Sequence, residues 1–131
     1  MNETILIIED NPQNMYMMRF LLEKNGFRVI GAETGVAGID QALGHKPDAI
    51  LLDIQLPEMD GYAVAAELTK HEALATIPII AVTSYAMVGD REQILAAGAT
   101  GYIEKPINPD SFVDEIKHYM HSGGCNQEND Q

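Results

Sequence analysis

The chain has 131 residues, 46% hydrophobic and 21% charged, a length and balance that suit one globular domain with one core. Its formal net charge of −12 argues against binding nucleic acid through phosphate contacts and against docking on anionic lipid. Cys125 is the lone cysteine, which excludes an intrachain disulfide, and with no secretory leader and no apolar run near the roughly 20 residues that span a bilayer the chain reads as soluble and cytoplasmic.

Ile5-Leu6-Ile7-Ile8 is apolar at every position, as in a strand buried on both faces, and it ends in Glu9-Asp10. Asn11-Pro12 opens a helix, an N-cap residue followed by proline at the first helical position. Met15, Met18 and Leu22 form its buried stripe, and the run of methionines reads as core filling rather than a binding surface. Asn25-Gly26 ends it, and Arg28–Ala32 is a short strand. Thr34-Gly35 leads into a second helix, expected to bury Val36, Ile39 and Leu43 and to stop at Gly44 and Pro47. Ala49-Ile50-Leu51-Leu52 is another wholly apolar strand, and it runs into Asp53 and a turn.

After Asp60-Gly61 a third helix buries Val64, Ala65 and Leu68, with its end somewhere between 71 and 76. Pro78-Ile79-Ile80-Ala81-Val82 is a fourth buried strand, ending in Thr83-Ser84. A weakly amphipathic helix over about 87–97 has few apolar anchors and is expected to be the least firmly packed, with Gly98 as its cap. Tyr102-Ile103 lies in a fifth strand that ends in Glu104-Lys105-Pro106. Asn108-Pro109 opens the last helix, with Phe112, Val113, Ile116 and Met120 inward, and 122–131 reads as a frayed polar tail.

Strict alternation of strands and helices implies an α/β fold, a parallel five-stranded sheet with helices on both faces. Glu9-Asp10, Asp53, Thr83 and Lys105 each lie at the carboxyl end of a different strand, the edge where open α/β sheets bind ligands. Three crowded carboxylates repel one another, and a hard divalent cation such as Mg²⁺ resolves that repulsion with oxygen ligands. Asp53 then becomes a candidate nucleophile toward phosphorus, with Lys105 and the Thr83 hydroxyl placed for the phosphoryl oxygens. Any one of these residues alone would read as a cap, a turn or a half-buried strand residue; their convergence argues for a site.

Four stretches, in order, resemble the receiver domain of two-component response regulators. They are Ile8-Glu9-Asp10-Asn11-Pro12-Gln13-Asn14, Leu52-Asp53-Ile54-Gln55-Leu56-Pro57-Glu58-Met59-Asp60-Gly61, Val82-Thr83-Ser84 and Gly98-Ala99-Thr100-Gly101-Tyr102-Ile103-Glu104-Lys105-Pro106. Asn11, Asn14 and Ala86-Met87-Val88-Gly89-Asp90 are most similar to stand-alone DivK-like cell-division receivers and to the receivers of hybrid kinases. The resemblance implies a flavodoxin-like (βα)5 three-layer sandwich with strand order 2-1-3-4-5, a receiver domain over 1–121 and a disordered tail over 122–131.

It further implies a single-domain response regulator of a two-component or phosphorelay system. Its donor is a sensor histidine kinase or histidine phosphotransfer protein, and Asp53 is the acceptor. Mg²⁺, or Mn²⁺ in its place, is held by Glu9, Asp10, Asp53 and the backbone carbonyl of Gln55. Lys105 and Thr83 serve the chemistry, Thr83 and Tyr102 form a switch pair, and Gln55 and Tyr85 modulate dephosphorylation. Such a protein is a phosphoacceptor rather than a conventional enzyme, although it catalyses its own phosphorylation and dephosphorylation. Its target protein or kinase binds the face of the fourth helix, fifth strand and fifth helix, with no nucleic acid or membrane involved. The short tail leaves no room for an output domain. Lys105 reaching over the site predicts a cis Lys105-Pro106 peptide.

A haloacid-dehalogenase-type phosphatase would need an acid where Gln55 stands, and a cap domain. A flavodoxin-like electron carrier would need phosphate-cradling loops, and a degenerate receiver would lack a site residue. His118, His121 and Cys125 have a metal-like spacing but read as a solvated helix end and tail, and neither His45 nor His71 has acidic or metal-binding company.

Overall fold

The computed structural model describes residues 3–54, 61–83, 88–105 and 107–124. In chain order the elements are β1 (Thr4–Ile8), α1 (Pro12–Lys24), β2 (Arg28–Ala32), α2 (Gly35–His45), β3 (Ala49–Asp53) and α3 (Gly61–Lys70), then β4 (Ile79–Thr83), α4 (Val88–Ala96), β5 (Gly101–Glu104) and α5 (Phe112–Gly124). All strand pairings are parallel and the order is β2-β1-β3-β4-β5, the flavodoxin-like arrangement expected.

Successive strand residues point to opposite faces. Leu6, Ile8, Ile50 and Leu52 join Val64, Leu68 and Ile94 in one buried cluster, while Ile5, Ile7, Leu51 and Ile80 join Met18, Leu22, Phe112 and Ile116 in the other. A strand clad on both sides by helices has no polar face, which is why these strands are apolar at consecutive positions. Among the described residues no helix is long and apolar enough to cross a membrane.

The helix termini follow from their caps. The Asn11 side chain accepts from the backbone N–H of Gln13 and Asn14 at 2.9 and 3.0 Å, and Pro12 starts α1 without needing a donor. The Thr34 hydroxyl accepts from the Ala37 N–H at 3.1 Å to start α2.

The buried face of α2 differs from expectation. Gly35, Gly38 and Ala42 face the sheet, while Val36 is 63% and Leu43 36% exposed and Ile39 is half-buried. A Cβ on Gly38 would fall 2.4 Å from Ile8 Cδ1, so small residues let α2 approach the sheet closely and its larger side chains roll outward.

The chain after α3 forms a short 3₁₀ turn, Glu72–Leu74, that buries Leu74. The last helix starts later than Asn108-Pro109 suggested. Asn108 instead caps a preceding turn, its side-chain oxygen accepting from the Asp110 N–H and its carbonyl from the Phe112 N–H, both at 2.9 Å. On α4, Ile94 is buried and Leu95 is 47% exposed.

Candidate functional site

Parallel pairing sets the carboxyl ends of β1, β3, β4 and β5 along one edge. Ile8 is in register with Leu52, Asp53 with Val82, and Thr83 with Glu104. The residues that follow or end these strands are therefore neighbours. Glu9, Asp53 and Thr83 are 1%, 3% and 2% exposed, rare depths for such side chains, whereas Asp10 is exposed. Glu9, Asp10 and Asp53 each offer a carboxylate oxygen, and the three oxygens lie within 4.8 Å of one another.

Lys105 reaches over this cluster because its backbone N–H is tied to the Thr83 carbonyl at 2.8 Å, continuing the β4–β5 ladder. Its ammonium lies 3.5 Å from Asp53 Oδ1 and 3.6 Å from Glu9 Oε1. The other Glu9 oxygen accepts from the Asn11 N–H at 3.2 Å, a tie not foreseen from sequence. Glu9 Oε1 itself is buried with no hydrogen-bond donor among the described residues. Tyr102, on the edge strand, is half-buried and packs against the cluster that holds Ile94. Beside the carboxylates opens a cavity of about 270 Å³, lined by Pro12, Met15, Tyr16 and Arg19 of α1 as well as Glu9 and Asp10.

Burial is the main reason the Glu9 carboxyl rises from 4.5 to about 7. The Asp53 charge and a hydrogen bond to Asp53 push the same way, while the Lys105 charge and the Asn11 N–H oppose them. A folded pKa above the unfolded one means that the folded chain binds the extra proton, so this contribution is complete below about pH 4.5 and lost as pH rises through about 7. In metal-free buffer, urea unfolding is expected to show stability falling between about pH 4.5 and 7 by on the order of 3 kcal/mol. Glu9→Gln, which mimics the protonated form, is expected to flatten that slope. A wild-type profile that is level or rises across this window would contradict a Glu9 carboxyl raised by burial beside Asp53.

The predicted positions 9, 10, 53, 83 and 105 are thus brought together, with Tyr102 on the neighbouring edge strand. Gln55, Tyr85, the Lys105-Pro106 peptide bond and residues 125–131 of the expected 122–131 tail lie outside the described residues, while 122–124, expected to be frayed tail, continue α5. Gly61 has a role that its place in a turn motif did not suggest. A Cβ there would lie 2.4 Å from Ile54 Cα and 2.7 Å from its carbonyl oxygen, so α3 starts against the residue that follows Asp53.

A family model described as the response regulator receiver domain matches residues 5–117. The chain belongs to the response regulator receiver family. It is 44% identical over 120 residues to the polar-differentiation response regulator DivK of Brucella ovis, and 43% identical to that of Brucella anthropi, covering 92% of this chain and 98% of each relative. Among solved structures, the receiver domain of a sensor histidine kinase from Pseudomonas aeruginosa is 34% identical. It superposes with a TM-score of 0.85 over 93% of this chain and all of that one, and it is described with a magnesium ion coordinated in its active-site cleft. A CheY-like receiver domain protein from Methanospirillum hungatei is 29% identical with a TM-score of 0.85, over 94% of this chain and 97% of that one. Receiver domains are the phosphoacceptor modules of two-component signalling, so the family agrees with the fold, the strand order and the acidic pocket.

Proposed function

We propose that this chain is a single-domain response regulator that takes a phosphoryl group from a phosphohistidine onto Asp53. It then displays the change to a partner on the face formed by α4, β5 and α5. The observation that carries this reading is the gathering of the Glu9, Asp10 and Asp53 oxygens within 4.8 Å, with the Lys105 ammonium 3.5 Å from Asp53 Oδ1.

The donor set fits Mg²⁺. It consists of hard carboxylate oxygens, one of which, Glu9 Oε1, is buried without a hydrogen-bond donor among the described residues. Mg²⁺, or Mn²⁺ in its place, held by Glu9, Asp10, Asp53 and, by the family pattern, the Gln55 carbonyl, supplies positive charge that offsets the repulsion between these carboxylates and an incoming phosphoryl dianion.

An Asp53 carboxylate oxygen forms the new bond to phosphorus as the P–N bond to the donor imidazole breaks; the ring nitrogen keeps the electron pair, and with a proton already on its other nitrogen the imidazole leaves neutral. Lys105 pairs with one phosphoryl oxygen and the Thr83 hydroxyl donates to another. The cavity along α1 opens beside Glu9 and Asp10, on the side from which we take the donor imidazole to approach. Hydrolysis returns the carboxylate and releases phosphate. By their place in the sequence, Gln55 and Tyr85 set its rate, and the bulk of Tyr85 shields the phosphoryl group, so Tyr85→Ala is expected to shorten the half-life.

When Thr83 turns toward the phosphoryl group, the vacated space favours an inward Tyr102, a population shift between two packings. A partner on the α4–β5–α5 face reads that shift. The donor is a sensor histidine kinase or a histidine phosphotransfer protein, in keeping with the likeness to DivK.

Phosphoramidate carries the same P–N bond as phosphohistidine. Added with Mg²⁺, it is expected to phosphorylate the chain and to move amide resonances around Asp53 and across α4, β5 and α5. Resonance changes that leave this face untouched would contradict the output surface, and the absence of phosphorylation would contradict the reading itself.

A further inference from the structure

Tyr119 sits on α5 with its ring over Gly101 of β5. A Cβ added at Gly101 would lie 2.2 Å from Tyr119 Cε1 and 2.5 Å from both Cδ1 and Cζ, so the missing side chain is what admits the ring. From there the Tyr119 hydroxyl donates to the backbone carbonyl of Tyr102 at 3.3 Å. The two tyrosines belong to opposite faces of the sheet. Tyr102 packs with the cluster under α2, α3 and α4, and Tyr119 with the cluster under α1 and α5. The hydroxyl-to-carbonyl bond therefore runs directly from α5 to the residue assigned as the switch.

We propose that Tyr119 is the coupling residue through which a change at Tyr102 is passed to α5. This rests on the functional reading of Asp53 and Tyr102 above and adds to it the route by which one helix of the output face is informed. Hydroxyl donors usually sit about 2.7–2.8 Å from their acceptor, so a bond of 3.3 Å is stretched beyond its usual range and has room to tighten. Movement of the Tyr102 backbone by a few tenths of an ångström tightens or breaks it. Ring and hydroxyl act in series: Gly101 fixes where the ring lies, and the ring fixes where the hydroxyl points. The same bond works in reverse, because coupling between two sites is reciprocal, so a partner that grips α5 in its activated position biases Tyr102 and with it the phosphorylated state.

Tyr119→Phe keeps the ring over Gly101 and deletes the bond. Gly101→Ala keeps the hydroxyl but displaces the ring that aims it. The experiment compares amide shifts before and after phosphoramidate and Mg²⁺ in wild type and both variants, alongside the extent of Asp53 phosphorylation by mass. In Tyr119→Phe we expect Asp53 to be phosphorylated as in wild type and shifts around β1, β3 and β4 to persist. The shift response over 112–120 is expected to fall by about two- to tenfold, the range that one net hydrogen bond can bias. Gly101→Ala is expected to show the same loss.

A structural role alone would change the resting spectrum without diminishing the response to phosphorylation. A response over 112–120 that is undiminished in Tyr119→Phe would therefore overturn the coupling, even if Gly101→Ala proved too unstable to study. Failure of the wild type to be phosphorylated at Asp53 would instead overturn the functional reading on which the inference rests. A wild type that is phosphorylated but shows no response over 112–120 would overturn the inference alone.

Discussion

Asp53→Asn is expected to abolish phosphorylation by acetyl phosphate or phosphoramidate in Mg²⁺, leaving no base-labile phosphoryl group on the chain. The amide that replaces the carboxylate is no nucleophile toward phosphorus and offers a poorer cation ligand, so one substitution removes the attacking atom and part of the metal site together. The change should not unfold the protein. Asp53 is 3% exposed within an acidic cluster, and removing one of its negative charges relieves repulsion on Glu9. The Glu9 carboxyl, raised partly by the Asp53 charge, is accordingly expected to titrate lower in this variant, and the pH dependence of stability to shrink with it. Since the chain has no tryptophan, mass spectrometry and NMR are the suitable readouts. Undiminished base-labile phosphate on Asp53→Asn would remove Asp53 as the acceptor.

Gly61→Ala is the second large effect. Its Cβ would meet backbone, not a yielding side chain, with Ile54 Cα at 2.4 Å and the Ile54 carbonyl carbon at 2.8 Å, and the Gly61 N–H donates to that same carbonyl at 3.2 Å. Neither partner can rotate away, so either α3 retreats from the sheet or the chain just after Asp53 is pushed aside. Overpacking of this kind costs about 1–3 kcal/mol. Displacing the chain next to the nucleophile by about 1 Å is expected to slow phosphorylation on the order of 100-fold. Urea unfolding and a phosphorylation time course measure the two effects separately. Wild-type values for both would show that α3 does not constrain the acceptor. By contrast Gly44, where a Cβ would meet nothing within 4 Å, is expected to accept alanine without loss of phosphorylation.

Much of this was legible in the sequence because the signals were of kinds a sequence carries. Ile5 to Ile8 and Ala49 to Leu52 are apolar without interruption, which marks strands clad on both sides, and a carboxylate directly after such a run is conspicuous. Alternation with helical segments then placed Glu9, Asp53, Thr83 and Lys105 on one edge with no distance known. The face of α2 was misjudged because the periodicity of Val36, Ile39 and Leu43 pointed to large side chains. The contact is in fact made by Gly35, Gly38 and Ala42, and close approach to Ile8 is a property of the packed pair. The start of α5 was misplaced because Asn108-Pro109 carries the signature of a helix N-terminus but caps a turn ahead of it. The bond from the Asn11 N–H to Glu9, the clash that keeps residue 61 a glycine and the seat of Tyr119 on Gly101 are tertiary facts with no local sequence signal.

The site's chemistry turns on whether Asp53 is a metal-dependent nucleophile. The most direct measurement is to treat the intact chain with acetyl phosphate, with Mg²⁺ and with chelator, and to locate the added phosphoryl group by tandem mass spectrometry. The predicted result is one base-labile phosphoryl group, on Asp53, formed with Mg²⁺ and largely absent with chelator. A phosphoryl group on any other residue, or one formed on Asp53 equally well without the metal, would contradict the assignment of this acidic pocket.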